Sequence, residues 1–150
     1  MNSAIGTIWN SSSAYAGSGA LGSAVGGGWL PGSGYNGSQT IWFTYGKFSS
    51  IVRPSPANLW VIIDENAYSI NDASFAASAV PYYQLDFPAS YHNGGAGISF
   101  ADGHAETHRW QDPRTINPQG IVQPGQGSTG TSSPGNQDTV YLSGITSAAR

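Results

Sequence analysis

His104, Glu106 and His108 alternate with Ala105, Thr107 and Arg109 directly after Asp102-Gly103. Alternate residues of a strand share a face, so this spacing sets two imidazoles and a carboxylate side by side, a donor set that suits a divalent metal. Read as a two-residue type I′ turn, Asp102-Gly103 has both residues at positive φ. Ala101 then pairs with His104, Phe100 with Ala105, Ser99 with Glu106 and Ile98 with Thr107. This register sets the Ser99 hydroxyl beside Glu106 with histidines diagonal to it, an arrangement that would also support acyl transfer. Phe100, Ile98, Ala105 and Thr107 take the core face. The same polar alternation marks any hairpin with one wet face, so the functional and solvated readings both stand.

A second group follows the most apolar run of the chain: Asp64, Glu65, Asn71 and Asp72. Hard oxygen ligands, several from one loop, suit calcium better than a transition metal, although the Gly and Glu spacing of an EF-hand is missing. Otherwise these side chains would cap a strand end and a helix start. His92, in Ser90-Tyr91-His92-Asn93-Gly94-Gly95, reads as a hydrogen-bonded loop residue rather than a base. A Gly-x-Ser-x-Gly elbow, a His-Glu-x-x-His helix and a phosphate-binding glycine loop are all missing from the sequence.

The elements that must position these groups are β-rich. The chain has 150 residues, a net charge of −3 and 9% charged side chains, against about 25% in an ordinary globular domain. Its polarity comes instead from Gly, Ser and Asn, which favour turns over the helical ladder. Five Trp, eight Tyr and five Phe supply the mass for a core. The five basic residues are scattered, which excludes a nucleic-acid surface and an anionic membrane surface. Without cysteine there is no disulfide or thiolate framework. No run of 18 apolar residues and no signal segment occurs, so the chain as written is expected to be soluble. Seven of the eight acids and all three histidines fall between positions 64 and 112, and any site must lie there.

One domain spans 1–150: Gly/Ser-rich ordered loops over 1–39, a core over 40–116, a flexible loop over 117–137 and a C-terminal segment over 138–150. Thr40 to Tyr45 reads as a strand, Leu59 to Ile63 as a central strand covered on both faces, and 72–79 as a short helix. Val140-Tyr141-Leu142 forms a last short element. The fold class expected is α+β and β-rich, an antiparallel sheet with long Gly/Ser loops and only short helices.

His92, nine intervening residues and then Asp102-Gly103 resemble the H-X9-DG signature of prepilin-type, type II secretion pseudopilin-like proteins. Pro54-Ser55-Pro56-Ala57-Asn58-Leu59-Trp60-Val61, Asp64-Glu65, Ser69-Ile70-Asn71-Asp72, Pro88 to Gly94 and Phe100 to Glu106 follow that family's order. The resemblance covers roughly residues 40–116, with a weaker echo at Asn136 to Thr146. It implies a globular head whose antiparallel sheet packs on a long N-terminal helix. Family members carry that helix behind a short basic leader, whereas Met1-Asn2-Ser3 resembles an internal stretch of the head. The chain is therefore expected to be a shortened reading frame with an apolar stripe that self-association would cover.

The resemblance further implies other pseudopilins or secretion-system proteins as partners and a periplasmic or cell-envelope setting. It also implies calcium, without implying ligand positions; Asp64 and Asp72 lead as ligands, and Glu65 and Asp102 follow. Three functions remain open at this point: a structural pseudopilin head, a metal-dependent hydrolase of small esters or lactones using His92, Ser99 and Glu106, and a carbohydrate-binding module presenting Trp and Tyr from polar loops.

Overall fold

The computed structural model describes residues 3–6, 48–70, 74–75, 77–78, 81–118, 131–146 and 148. The order of elements is β1 (Ser3–Gly6), β2 (Trp60–Asp64), β3 (Ser74–Phe75), β4 (Tyr83–Gln84), β5 (Gly95–Phe100), β6 (Ala105–Arg109), helix α1 (Pro113–Ile116), β7 (Thr131–Ser132) and helix α2 (Gln137–Thr146), with 3-10 turns at Phe48–Ser50 and Pro56–Asn58. Five strands form one sheet in the order β3-β1-β2-β5-β6, and β4 pairs with β7 in a second. All pairings are antiparallel except β1 with β3. This is the β-rich α+β class expected. The strand read at 40–45, Asp72 and most of 117–137 lie outside the described residues.

β2 is central, bonded to β1 and β5, as its apolar run predicts. It is not covered on both faces, because Ile62 is 39% exposed. The pairing with β5 shifts between Trp60 and Ile62, so Val61 is an extra residue on β2. A bulge of this kind interrupts strict alternation. It allows Trp60 and Ile63, three positions apart, to face the same core while Ile62 faces out.

On the inner face, Trp60, Ile63, Phe75, Ala96, Ile98 and Phe100 pack with Leu142 and Ile145 of α2. Trp60 meets Phe75 edge-on, with ring centroids 5.6 Å apart, and its indole N–H donates to Thr146 Oγ1 at 2.8 Å. Asn136 starts α2, its side-chain oxygen accepting from the N–H groups of Asp138 and Thr139. Ser143 and Thr146 are buried too, their hydroxyls donating to carbonyls of the preceding turn. The helix expected over 72–79 is replaced at Ser74–Phe75 by β3, which adds to β1 and buries Phe75. Among the described residues no helix is long and apolar enough to cross a membrane.

Candidate functional site

β5 is held between two turns of different construction, and these decide where the candidate residues go. At its start His92 and Gly95 exchange backbone hydrogen bonds, N–H to C=O in both directions at 3.1 Å. Asn93 and Gly94 between them have φ of 53° and 80°. A two-residue turn with both central residues left-handed is type I′, and Asn-Gly is its favoured sequence. Gly95 is required for a second reason: a Cβ there would sit 2.3 Å from the His108 carbonyl oxygen on β6.

At the far end of β5, Gly103 N–H donates to Phe100 C=O and Phe100 N–H donates to His104 C=O. Among the three loop residues, Ala101, Asp102 and Gly103, only Gly103 has positive φ, at 96°. This is a three-residue connection with a glycine bulge, not the expected two-residue turn. The register therefore moves by one: Ser99 pairs with Ala105, Ile98 with Glu106, and Ala96 with His108. A slip of one residue exchanges the partners across the sheet. Glu106 and His108 consequently lie on the inner face with Ile98 and Ala96, while Ser99 lies on the outer face. The expected Ser99/Glu106 arrangement does not form.

The inner-face polar groups are spent on packing. Tyr141 of α2 donates its hydroxyl to Glu106 Oε1 at 3.0 Å. The His108 ring stacks on Tyr141, with centroids 3.7 Å apart and planes within 7°, and tilts against Trp110 at 4.8 Å. Burial lowers the His108 pKa below its usual range, opposed by Glu106 and Asp138. Burial also pushes the Tyr141 phenol well up, with Glu106 adding to the effect. His104 stacks on Phe100 at 4.3 Å, and its Nδ1 lies 2.6 Å from Asp102 Oδ1. That hydrogen bond holds the Asp102 carboxyl below the ordinary carboxylate range.

The outer face carries a different set. His92 Nε2 lies 3.4 Å from Asp64 Oδ2, and Gly97 N–H donates to the same oxygen at 3.2 Å. Gly97 is needed there, since a Cβ would approach that oxygen to 3.0 Å. Beside this pair runs a shallow groove of about 390 Å³ lined by Ile62, Asp64, Gly97, Ser99, Ala105 and Thr107, among others. Asp64, Ser99, Glu106 and Thr107 are the hydrophilic residues of its lining, and Ile62, Ile98 and Ala105 the apolar ones.

The proposed calcium ligands do not converge. Glu65, next to Asp64 on the strand, is buried and accepts from the Ser69 hydroxyl at 2.8 Å, whereas Asp64 faces the groove. Asp102 stands beyond the other end of β5, where the run from Gly97 to Phe100 alone spans about 10 Å. Among the described residues no three acids or histidines come together as a metal site. Asp64, Glu65 and Asp102 therefore do not fit one ion, and Asp72 lies outside the described residues.

Two features of this region were not anticipated from the sequence. Asp138 is 2% exposed and accepts from the backbone N–H groups of Gln111 and Asp112 at 2.9–3.1 Å, tying α2 to the end of β6. Its only sequence signal is an acid in the first turn of a helix that the composition hides. The Asn93-Gly94 turn did have a signal, but it sits among Ser, Tyr and His rather than between alternating strands. No family model, no curated protein and no solved structure matches the chain.

Proposed function

We propose that this chain is a pseudopilin-like globular head, a structural protein that acts through contacts with pseudopilins or other secretion-system proteins. One observation carries the reading: helix α2 covers one face of the sheet, and among the described residues the opposite face presents a groove with Ile62 in its lining. The resemblance gives that family's sheet a helix to pack on, and a face with an exposed Ile62 suits such an element. The dispersal of the polar side chains supports the same reading, because Glu106, His92 and His104 are each engaged by a local partner. A photo-crosslinking residue in place of Ile62, in cells that produce the secretion machinery, is expected to give an adduct with a pseudopilin-type subunit. The same residue in place of the solvent-exposed Val140 of α2 is the control. Equal labelling from both positions would remove the reading.

The hydrolase alternative is favoured by one contact, His92 against Asp64 on the face that also carries Ser99. Hydrolysis of a chromogenic ester or lactone by purified protein, abolished by His92→Ala and by Ser99→Ala, would establish it. Activity that survives both substitutions would dismiss the outer face as its source. Calcium, which the resemblance implies, has Asp64 as its remaining described candidate ligand. Saturating calcium is expected to raise the thermal midpoint relative to chelator, by about 2.7 kcal/mol of stability at a hundredfold excess over Kd. An unchanged midpoint would remove the ion from the account.

A further inference from the structure

We infer that the outer edge of β6 is a self-pairing surface, and that two copies of the chain join there in an antiparallel β-ribbon centred on Thr107. This surface is the backbone edge of the strand that also lends Ala105 and Thr107 to the groove, and the inference holds whether or not the chain is a pseudopilin head. β6 is the terminal strand of the five-stranded sheet, and Ala105, Glu106, Thr107 and Arg109 are exposed. The backbone direction along it is fixed at both ends: His104 C=O accepts from Phe100, and Trp110 N–H donates to Gly94. Even-numbered residues therefore turn their backbone groups toward β5. Ala105, Thr107 and Arg109 turn theirs outward, and among the described residues no strand meets them.

Protein edges of this kind are usually blunted by lysine, proline or a bulge. β6 has no lysine and no proline, its charges are limited to Glu106 and Arg109, and its register with β5 is unbroken from Gly95↔Arg109 to Ser99↔Ala105. The exposed edge is thus a ready template for one more strand.

The side chains select a second copy and a single register. Because outward residues must meet outward residues, an antiparallel copy can be centred on Glu106, Thr107 or His108. The first places Glu106 against Glu106 of the other copy, and the last places His108 against His108. Like charges directly opposite are unfavourable, which disfavours the first, and the last sets Ala105 against Gln111, beyond the end of β6. Centring on Thr107 instead sets Glu106 against His108 of the other copy, Ala105 against Arg109, and Thr107 against Thr107. Every outward N–H then meets an outward C=O, the Thr–Thr pair gains a favourable contact, and the two Arg109 groups lie at opposite ends of the ribbon. Such a pair of five-residue strands is short for a permanent dimer, so the dimer dissociates on dilution.

The chain has no native cysteine, which allows a direct test. A hydrogen-bonded antiparallel pair sets Cα atoms about 5.5 Å apart, within the range a disulfide spans. Under mild oxidation Thr107→Cys is expected to form a covalent dimer at least ~10-fold faster than Ala105→Cys or Arg109→Cys alone, whose partners lie across from a different residue. A mixture of Ala105→Cys and Arg109→Cys is expected to give the heterodimer. Hydrogen exchange should show the amides of Ala105, Thr107 and Arg109 gaining protection as concentration rises, while those of Glu106 and His108 stay constant. Thr107→Pro should keep the protection of Glu106 and His108, since an edge strand tolerates proline with its nitrogen toward solvent, and should remain monomeric. Equal cross-linking at the three positions, a dimer whose Thr107 amide exchanges freely, or a Thr107→Pro chain that dimerises like the parent would each overturn the assignment. So would a parent chain that stays monomeric at every concentration.

Discussion

The two faces of one sheet carry similar numbers of polar side chains and use them in opposite ways. On the inner face, Glu106 and His108 are engaged by Tyr141, and Trp60 reaches Thr146. These groups fix α2 in place and leave little free for a ligand. On the outer face, Asp64 holds His92 and Gly97, and Ser99 and Thr107 border an open groove with Ile62. Residue type alone does not distinguish the two sets. Burial and the partner across the sheet do: the inner set is engaged with α2, and the outer set borders the groove.

The contrast is broken most severely through Trp60. Trp60→Ala removes a side chain 1% exposed together with its hydrogen bond, and should cost about 3–5 kcal/mol in urea unfolding. Ile62→Ala on the outer face should cost less than about 1 kcal/mol, since the side chain is already partly in water. Next in size, Asp138→Ala should cost about 2 kcal/mol by leaving the Gln111 and Asp112 amides without their charged acceptor. Hydrogen exchange would report the loss at those two amides first. Tyr141→Phe removes the donor to Glu106 and should cost about 1 kcal/mol, and in alkaline titration it should delete a phenol that ionises well above the ordinary tyrosine range.

The smallest effect expected is on pH dependence, and its sign follows from burial. His108 is held below its ordinary pKa of 6.5 when folded, so the unfolded chain binds more protons as pH falls through that value. Stability therefore drops as the solution is acidified from above the unfolded pKa to below the folded one. Replacing the imidazole by a neutral group, His108→Gln, should flatten that part of the curve, as measured by thermal melts across the range. A curve of unchanged slope would show that the ring is not desolvated by α2.

Much of the sheet was legible because local pattern and tertiary placement agree there. The apolar run ending at Ile63 is the central strand, and the alternation on either side of Asp102-Gly103 is a hairpin. What escaped were the single-residue decisions. Whether Asp102 shares positive φ with Gly103 depends on which backbone bonds close the loop, and that choice moves Glu106 to the other side of the sheet relative to Ser99. Val61 is an ordinary strand residue in sequence, yet its bulge puts Trp60 and Ile63 on one face. Helix α2 was hidden because its buried side includes Asp138, Thr139, Ser143 and Thr146, hydrophilic residues that read as surface until their backbone acceptors are seen. At the site, Asp64 and His92 each drew attention by type. Their contact was not legible, because it depends on the Asn93-Gly94 turn folding His92 back over β2.

The central proposal is that this protein works through partner contacts at its outer face. Site-specific crosslinking from position 62 in secretion-competent cells, read by mass spectrometry against the control at position 140, tests it most directly. The account predicts an adduct with a pseudopilin-type subunit from position 62 that is lost when Ser99→Arg fills the groove. An adduct pattern identical at both positions, unchanged by Ser99→Arg, would contradict it.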